Sequence, residues 1–375
     1  MTTIRLTERV AIDDVIDWKI AECTAFKIGR RGSFEVGAQG MALSMLAGLN
    51  PSEQDLIVDC EFDEPKSGAE LKGTPFFGAF GFALTRLSRR IDFAGRPASS
   101  AFKPLLSTVY KECDGVMGTG QSRSMICVDP VFPLPPALQP EAEADGAFSF
   151  PPPSAFGSLL QSIVKDMGFR RLLGSQQESS IVEFVYEALR NGYEHGMPDN
   201  QPRKSRSTRA LIVDKFVLQT ADLAKRHLSI ELKEYLERIA ESNAGDLGLG
   251  VACFTVADQG AGIQSTLPPR DGESEDARLL RAFEAGESRK PAGTISRGLG
   301  LPKVVGAAHH LQALIRVASN ELVVGQDFSK GEWKYPVLNF EAMKRMREGF
   351  RCGTSISIFV PEFGFDLDQG SLFKR

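Results

Sequence analysis

Three short stretches carry side chains whose types and spacing could do chemistry. In Glu187-Ala-Leu-Arg-Asn191-Gly-Tyr-Glu-His195, a carboxylate, an amide and an imidazole recur at intervals of four. Residues four apart on a helix stack on one face. The spacing therefore lines up a group able to take a proton with a neutral oxygen ligand suited to a hard cation. The second stretch, Asp258-Gln-Gly260-Ala-Gly262, follows the apolar run GVACFTVA and places one carboxylate at the edge of a core. Its glycines let the backbone turn tightly against a ligand. The third, Ser296-Arg297-Gly298-Leu299-Gly300-Leu301-Pro302, reads as a glycine loop opening onto a helix with proline in its first turn. N–H groups and the positive dipole end at such a helix start bind phosphate. Each stretch also has a plain structural reading: a solvated helix face, a strand-to-loop turn, and a loop before a helix.

The elements that must hold these residues follow from periodicity. Asn191-Gly192 is a strong turn signal, yet Ile181, Val185, Ala188, Leu189 and Gly192 continue one apolar helical stripe through it. A glycine inside that helix costs ~1 kcal/mol relative to alanine, which calls for something close to its backbone. GSLLQSIVKDMGFRRLLG before it also reads as a helix, while GVACFTVA (250–257) and TSISIFVP (354–361) read as strands. The latter puts Ile356, Ile358 and Val360 on one face and Ser355 and Ser357 on the other. Residues 221–242 predict an added helix, and residues 321–350 a mixed polar strand-loop insertion after the strand ALIRVAS. Upstream, DLIVDCEF (55–62) predicts a strand, PFFGAFGFALTRLSRRI (75–91) an apolar helix with a basic end, and residues 32–49 a further helix.

Residues 129–157 hold eight of the chain's 21 prolines and a short acidic run. They predict an extended linker, part of which could strap across a domain. The expected organisation is a small α/β domain over 1–128, the linker 129–157, a second domain over 158–365 and a tail, 366–375. The expected class is α+β, with helices on one side of a sheet. The 375 residues are 42% hydrophobic and 25% charged, an ordinary globular composition. A net charge of −4 argues against nucleic acid as a partner. The basic run QPRKSRSTR (201–209) reads as a solvated loop. There is no apolar run of membrane-spanning length and no signal-peptide core at the N-terminus. The six cysteines show no CxxC pairing. A cytoplasmic protein with reduced thiols is expected.

Taken in order, Glu187-x-x-x-Asn191, Asp258-x-Gly260-x-Gly262, Gly298-x-Gly300 and the Gly353-Thr354 strand resemble the N, G1, G2 and Gly-Thr boxes of the GHKL ATPases. That family includes gyrase B-type, mismatch-repair and heat-shock chaperone ATPases, histidine kinases and anti-sigma-factor serine kinases. The resemblance covers roughly residues 155–365 and includes LLRAFEAGESRK (279–290), similar to the segment before the family's mobile ATP lid. It implies an α/β sandwich with ATP and Mg²⁺ bound between helices and a mixed sheet. By the same resemblance Glu187 is the general base, and Asn191 ligates Mg²⁺ on the ATP phosphates. Asp258 accepts from the adenine amino group, and Gly260 and Gly262 let the chain pass close to the base. Gly298 and Gly300 cradle phosphate, Thr354 supports the adenine end, and His195 lies near the phosphates. Lys290 and Arg297, flanking the lid, are candidate γ-phosphate contacts. Gly192 then gives the nucleotide room.

The chain departs from the family pattern at Ser296, where a further glycine is usual, and in the 67 residues from Asn191 to Asp258 (258 − 191). Its four histidines, 195, 227, 309 and 310, include none before the N box, which disfavours a classical histidine kinase. The N box and RGLGL look most like those of the anti-sigma serine kinases. The strand and Phe/Gly/Ala-rich helix upstream faintly resemble a STAS-like domain, the usual partner of such kinases. Expected partners are ATP, a protein substrate or regulator, and a second copy, since the family commonly dimerises. Two functions follow: an ATP hydrolase or serine/threonine protein kinase using Glu187, or an ATP-gated interaction module with little turnover. The presence of Glu187 favours chemistry, because a binding switch needs only Asn191 and Asp258.

Overall fold

A computed structural model of the protein describes residues 2–49, 55–118, 120–128, 134–135, 138, 150–169, 175–195, 207–218, 228–242, 249–284, 300–331, 335–339, 342–346 and 352–362. The fold is mixed α/β and contains both parallel and antiparallel sheets. The larger sheet has eight strands in the order Ala342–Arg345, Leu322–Asp327, Leu314–Asn320, Cys352–Pro361, Leu249–Asp258, Thr208–Leu218, Ser122–Val128 and Val116–Met117. Every pairing in it is antiparallel, where the family resemblance implies a mixed sheet. The smaller sheet pairs Thr2–Leu6, Cys23–Ile28, Ile57–Cys60 and Arg90–Phe93 in parallel, with Arg96–Pro97 antiparallel at its edge. Among the described residues no helix is long and apolar enough to cross a membrane.

The large sheet is buried on both faces, and this decides how the rest is arranged. On one face, helices Pro153–Asp166, Ser175–His195 and Gly300–His310 cover Leu211, Val213, Phe254, Val256, Ile356 and Ile358. The other face carries Ile126, Ala210, Ile212 and Ala257, which share a core with the N-terminal residues. Helix Ala38–Met45 lies so close there that a Cβ at Gly40 would stand 2.2 Å from Thr255 Cγ2. Thr255 and Ser357 satisfy each other beneath it at 2.8 Å between hydroxyl oxygens, as buried polar groups must. The added helix, Ile230–Ser242, fills the remainder of this face with Leu232, Tyr235, Leu236 and Ile239 against Phe216, Val251 and Phe359.

Two boundaries differ from the sequence reading. Strands Val116–Met117 and Ser122–Val128, placed above in the N-terminal domain, form an edge of the large sheet, with Thr208 opposite Val128 and Asp214 opposite Ser122. Met125 and Cys127 enter one core while Ile126 and Val128 enter the other. A strand apolar on both sides needs two covering layers. Within the proline-rich stretch, only residues 134–135, 138 and 150–157 are described, and these pack onto the second domain, as the strap reading allowed. Helix Pro153–Asp166 begins inside that stretch, because proline in a first helical turn loses no hydrogen bond. Leu134, Leu138 and Phe150 pack into the helix-side core. The apolar helix expected over 75–91 is confined to Ala79–Leu87, and Arg90–Phe93 turns into a strand. All six cysteines carry free thiols, and burial pushes Cys23 up to about 11 and Cys352 up to about 12.

A chain lacking residues 1–128 loses two edge strands of the large sheet and all of the cover on one face except that given by helix Ile230–Ser242. The expected product binds a hydrophobic dye and melts without a sharp transition; a soluble, cooperatively melting product would show instead that the two layers have separable cores.

Candidate functional site

Asp258 ends the strand Leu249–Asp258 with its side chain on the helix-covered face, beside Gly192. A Cβ at Gly192 would lie 3.4 Å from Asp258 Oδ2. The glycine that interrupts the N-box pattern thus faces the G1 carboxylate directly. Asp258 is 4% exposed. Its Oδ1 accepts from the Gly260 backbone N–H at 2.8 Å, and Thr354, opposite it in the next strand, offers backbone and side-chain hydrogen bonds. Burial outweighs these bonds and the nearby Arg209 charge, raising the carboxyl to about 6. Behind it the chain comes closer still: a Cβ at Gly353 would sit 2.1 Å from the Asp258 carbonyl oxygen. Glycine is the residue this close approach between paired strands admits.

Asn191 meets the other expected box. A Cβ at Gly300 would lie 2.9 Å from Asn191 Nδ2, so the start of helix Gly300–His310 abuts the amide. The two helices run on in antiparallel contact. Lys303 Nζ donates to Glu187 Oε1 at 2.9 Å and stands 3.6 Å from Glu183 Oε1, while Ser180 Oγ and His310 Nδ1 are 3.2 Å apart at the far end. Glu187 and Asn191 therefore face this helix, while Glu183, beside them on the stripe, stays half exposed. Glu187 is 6% exposed, and a carboxylate is tolerated at that depth because a cation pairs with it. His309 packs edge-on against Phe328.

The remaining expected residues divide. Gly262 has φ +82°, a left-handed conformation, and a Cβ there would lie 2.4 Å from Asn320 Oδ1. Its close approach is to the strand Leu314–Asn320, where Ile263 N–H donates to Ser319 Oγ at 2.7 Å. Lys290, Arg297 and Gly298 lie outside the described residues, as does the side chain of His195.

Residues 207–209 overturn the solvated-loop reading of that end of the basic run. Thr208 and Arg209 begin a central strand, Arg209 sits opposite Asp258 in register, and it is 3% exposed. Its guanidinium lies 4.8 Å from the ring centre of Tyr193. Thr208 N–H donates to Gln259 Oε1 at 3.0 Å. Among the described residues, Asn191 Nδ2, Thr208 Oγ1, Gln259 Nε2 and Asn320 Oδ1 are buried polar atoms without a partner. All four belong to residues touching or adjoining the Asp258 and Gly300 boxes. Other buried orphans, including Thr24 Oγ1, Glu35 Oε2 and Arg316 Nη1, lie elsewhere, so these four accompany the candidate site without singling it out. Thr208, Arg209, Gln259 and Lys303 escaped the sequence reading. The one available signal was Lys303, a cation in a first helical turn, the end where the dipole disfavours it.

Comparison with protein-family models, curated proteins and solved structures returns no match. The site must be judged on its own geometry.

Two buried carboxyls make stability pH-dependent. Asp214, on the opposite sheet face, accepts from Ser122 Oγ at 2.7 Å and from Gly37 N–H at 3.2 Å, and burial raises it too to about 6. An unfolded Asp titrates near ~4. Between about pH 4 and 6 the folded state therefore holds more protons, and stability falls as pH rises through that window. The share of each carboxyl is at most ~3 kcal/mol. Asp258→Asn is expected to flatten the fall measured by urea titration from pH 4 to 7. A slope identical to that of the unaltered protein would contradict a buried, raised carboxyl.

Proposed function

We propose that this chain binds Mg-ATP between the Ser175–His195 and Gly300–His310 helices and the Asp258 strand end, in the manner of a GHKL ATPase. In this reading it is an ATP hydrolase or a serine/threonine protein kinase with Glu187 as general base. One observation carries the reading: residues far apart in sequence meet by direct contact in the order the four boxes require. Gly192 is on Asp258, Asn191 on Gly300, and Gly353-Thr354 behind Asp258. The finer architecture, a nucleotide sandwich under a lid, and a dimer or protein partner belong to the same reading.

The donor set fits the ligand. An amino group placed against Asp258 favours the ionised carboxylate, so adenine recognition repays part of the cost of burying it. Asn191 offers one amide to a hard cation. Among the described residues no cluster of three or more His, Cys, Asp or Glu could hold a metal alone. That suits Mg²⁺, which keeps waters and takes most of its oxygens from substrate phosphates. When bound, the metal nucleotide supplies an electrophilic γ-phosphoryl group. Glu187 orients and deprotonates the attacking oxygen, Asn191 and the Gly300 helix start hold the phosphate end, and Asp258 with Thr354 fixes the base.

The test incubates the protein with Mg²⁺ and γ-labelled ATP and follows both free phosphate and label on protein, beside Glu187→Ala and Asp258→Ala. Glu187→Ala is expected to lose about 10²–10⁴-fold in turnover with ATP affinity nearly unchanged. Asp258→Ala is expected to lose ATP binding while remaining folded. Unchanged ATP affinity in the folded Asp258 variant would remove the nucleotide-site assignment.

A further inference from the structure

We propose that Lys303 reads the terminal phosphate of the nucleotide: it rests on Glu187 when that phosphate is absent and moves onto it when ATP binds. The inference rests on the ATP-site reading above and adds a substrate-contacting residue to it.

Geometry is the first support. Gly300 abuts Asn191, and Lys303, one turn further along the same helix, meets Glu187, one turn back along the other. If Asn191 marks the metal-bridged phosphates and Glu187 the attacking oxygen, the Lys303 ammonium lies on the attacking side of the γ-phosphoryl group. Charge is the second. Helix Gly300–His310 has no acidic residue in its first turn. A lysine there opposes the positive dipole end, so anions from elsewhere must hold it. Glu187 and Glu183 do so now, and Glu187 pushes the lysine's proton affinity up, keeping it cationic.

Mobility is the third. The Glu187 side chain is 7% exposed and the Lys303 side chain 46%, so the carboxylate is fixed and the lysine is the partner free to move. Its flexible four-carbon stem carries a point charge able to change anions without rearranging the helix. A cleft of about 560 Å³ beside the pair, lined in part by Glu183, Tyr186, Glu187, Lys303 and helix Pro153–Asp166 and not reaching Asn191 or Gly300, gives the lysine stem space to swing. Resting Lys303 occupies the Glu187 oxygen that must accept a proton. A γ-phosphate draws the ammonium away and leaves that oxygen to the nucleophile; ADP, lacking the phosphate, leaves the pair closed.

Calorimetry of the full chain with Mg²⁺ and either a non-hydrolysable ATP analogue or ADP tests this without relying on turnover. Lys303→Met is expected to weaken the analogue by about tenfold or more and ADP by less than about twofold, and Lys303→Arg to restore most of the difference. The double variant Glu187→Gln/Lys303→Met leaves no buried carboxylate unpaired. It is expected to bind ADP normally and to keep the analogue defect, which separates phosphate reading from misfolding. Equal losses for both nucleotides, or no loss, would overturn the assignment of Lys303 alone. Failure of the unaltered protein to bind either nucleotide would overturn the ATP-site reading and this inference with it.

Discussion

The close approach of Gly353 to the Asp258 carbonyl is the constraint on which the rest of the site depends. It brings the ends of two central strands closer than any side chain would allow, which puts Thr354 directly opposite Asp258. The carboxylate is left buried, with donors on the strand side and Gly192 close against Oδ2. Burying a carboxyl this way is unfavourable, as its raised proton affinity records. Such an arrangement stores binding capacity for a ligand that brings its own donor.

That approach lies within a sheet enclosed on both faces. Leu249–Asp258 and Cys352–Pro361 present Phe254, Ile356 and Ile358 to one layer and Cys253, Thr255 and Ser357 to the other. Small and polar side chains on the second face allow Ala38–Met45 to lie flat, with Gly40 against Thr255. The N-terminal residues are therefore the other half of the core beneath the site. The Ile230–Ser242 helix finishes the same face, with Tyr235 Oη donating to the Phe359 carbonyl at 2.7 Å. An element that looked like an insertion in the chain is structural cover.

The Asn191 end of the candidate site depends on a second constraint, the antiparallel contact of two helices. Stacking at intervals of four places Glu183, Glu187 and Asn191 on one line, and the partner helix answers with Lys303 and Gly300. Glu187 and Asn191 are thus both positioned by one interface, and a shift of either helix would move both. Pairing with Lys303 also explains how the Glu187 carboxylate survives in a nearly buried position.

Periodicity along the chain was enough to find the Asn191 helix through its Asn-Gly pair, the strands ending at Asp258 and Pro361, and the helix opening at Gly300. Each of these patterns is local, repeating at 3.6 or 2 residues, and is written in neighbouring side chains. The resemblance to the four boxes, which is read from linear order, marked Asn191, Asp258, Gly300 and Thr354 as candidates. Three things lay beyond it: that residues 116–128 pair with Thr208–Leu218, that Arg209 is buried opposite Asp258, and that Lys303 reaches Glu187. Each depends on which distant segment supplies the opposing surface. A strand apolar on both faces, a basic residue at a strand start and a lysine in a first helical turn are ambiguous until that surface is present. The sequence by itself determined the elements and the order of the candidate boxes; only tertiary packing decided which charges would be buried together, because burial and pairing are properties of two surfaces in contact.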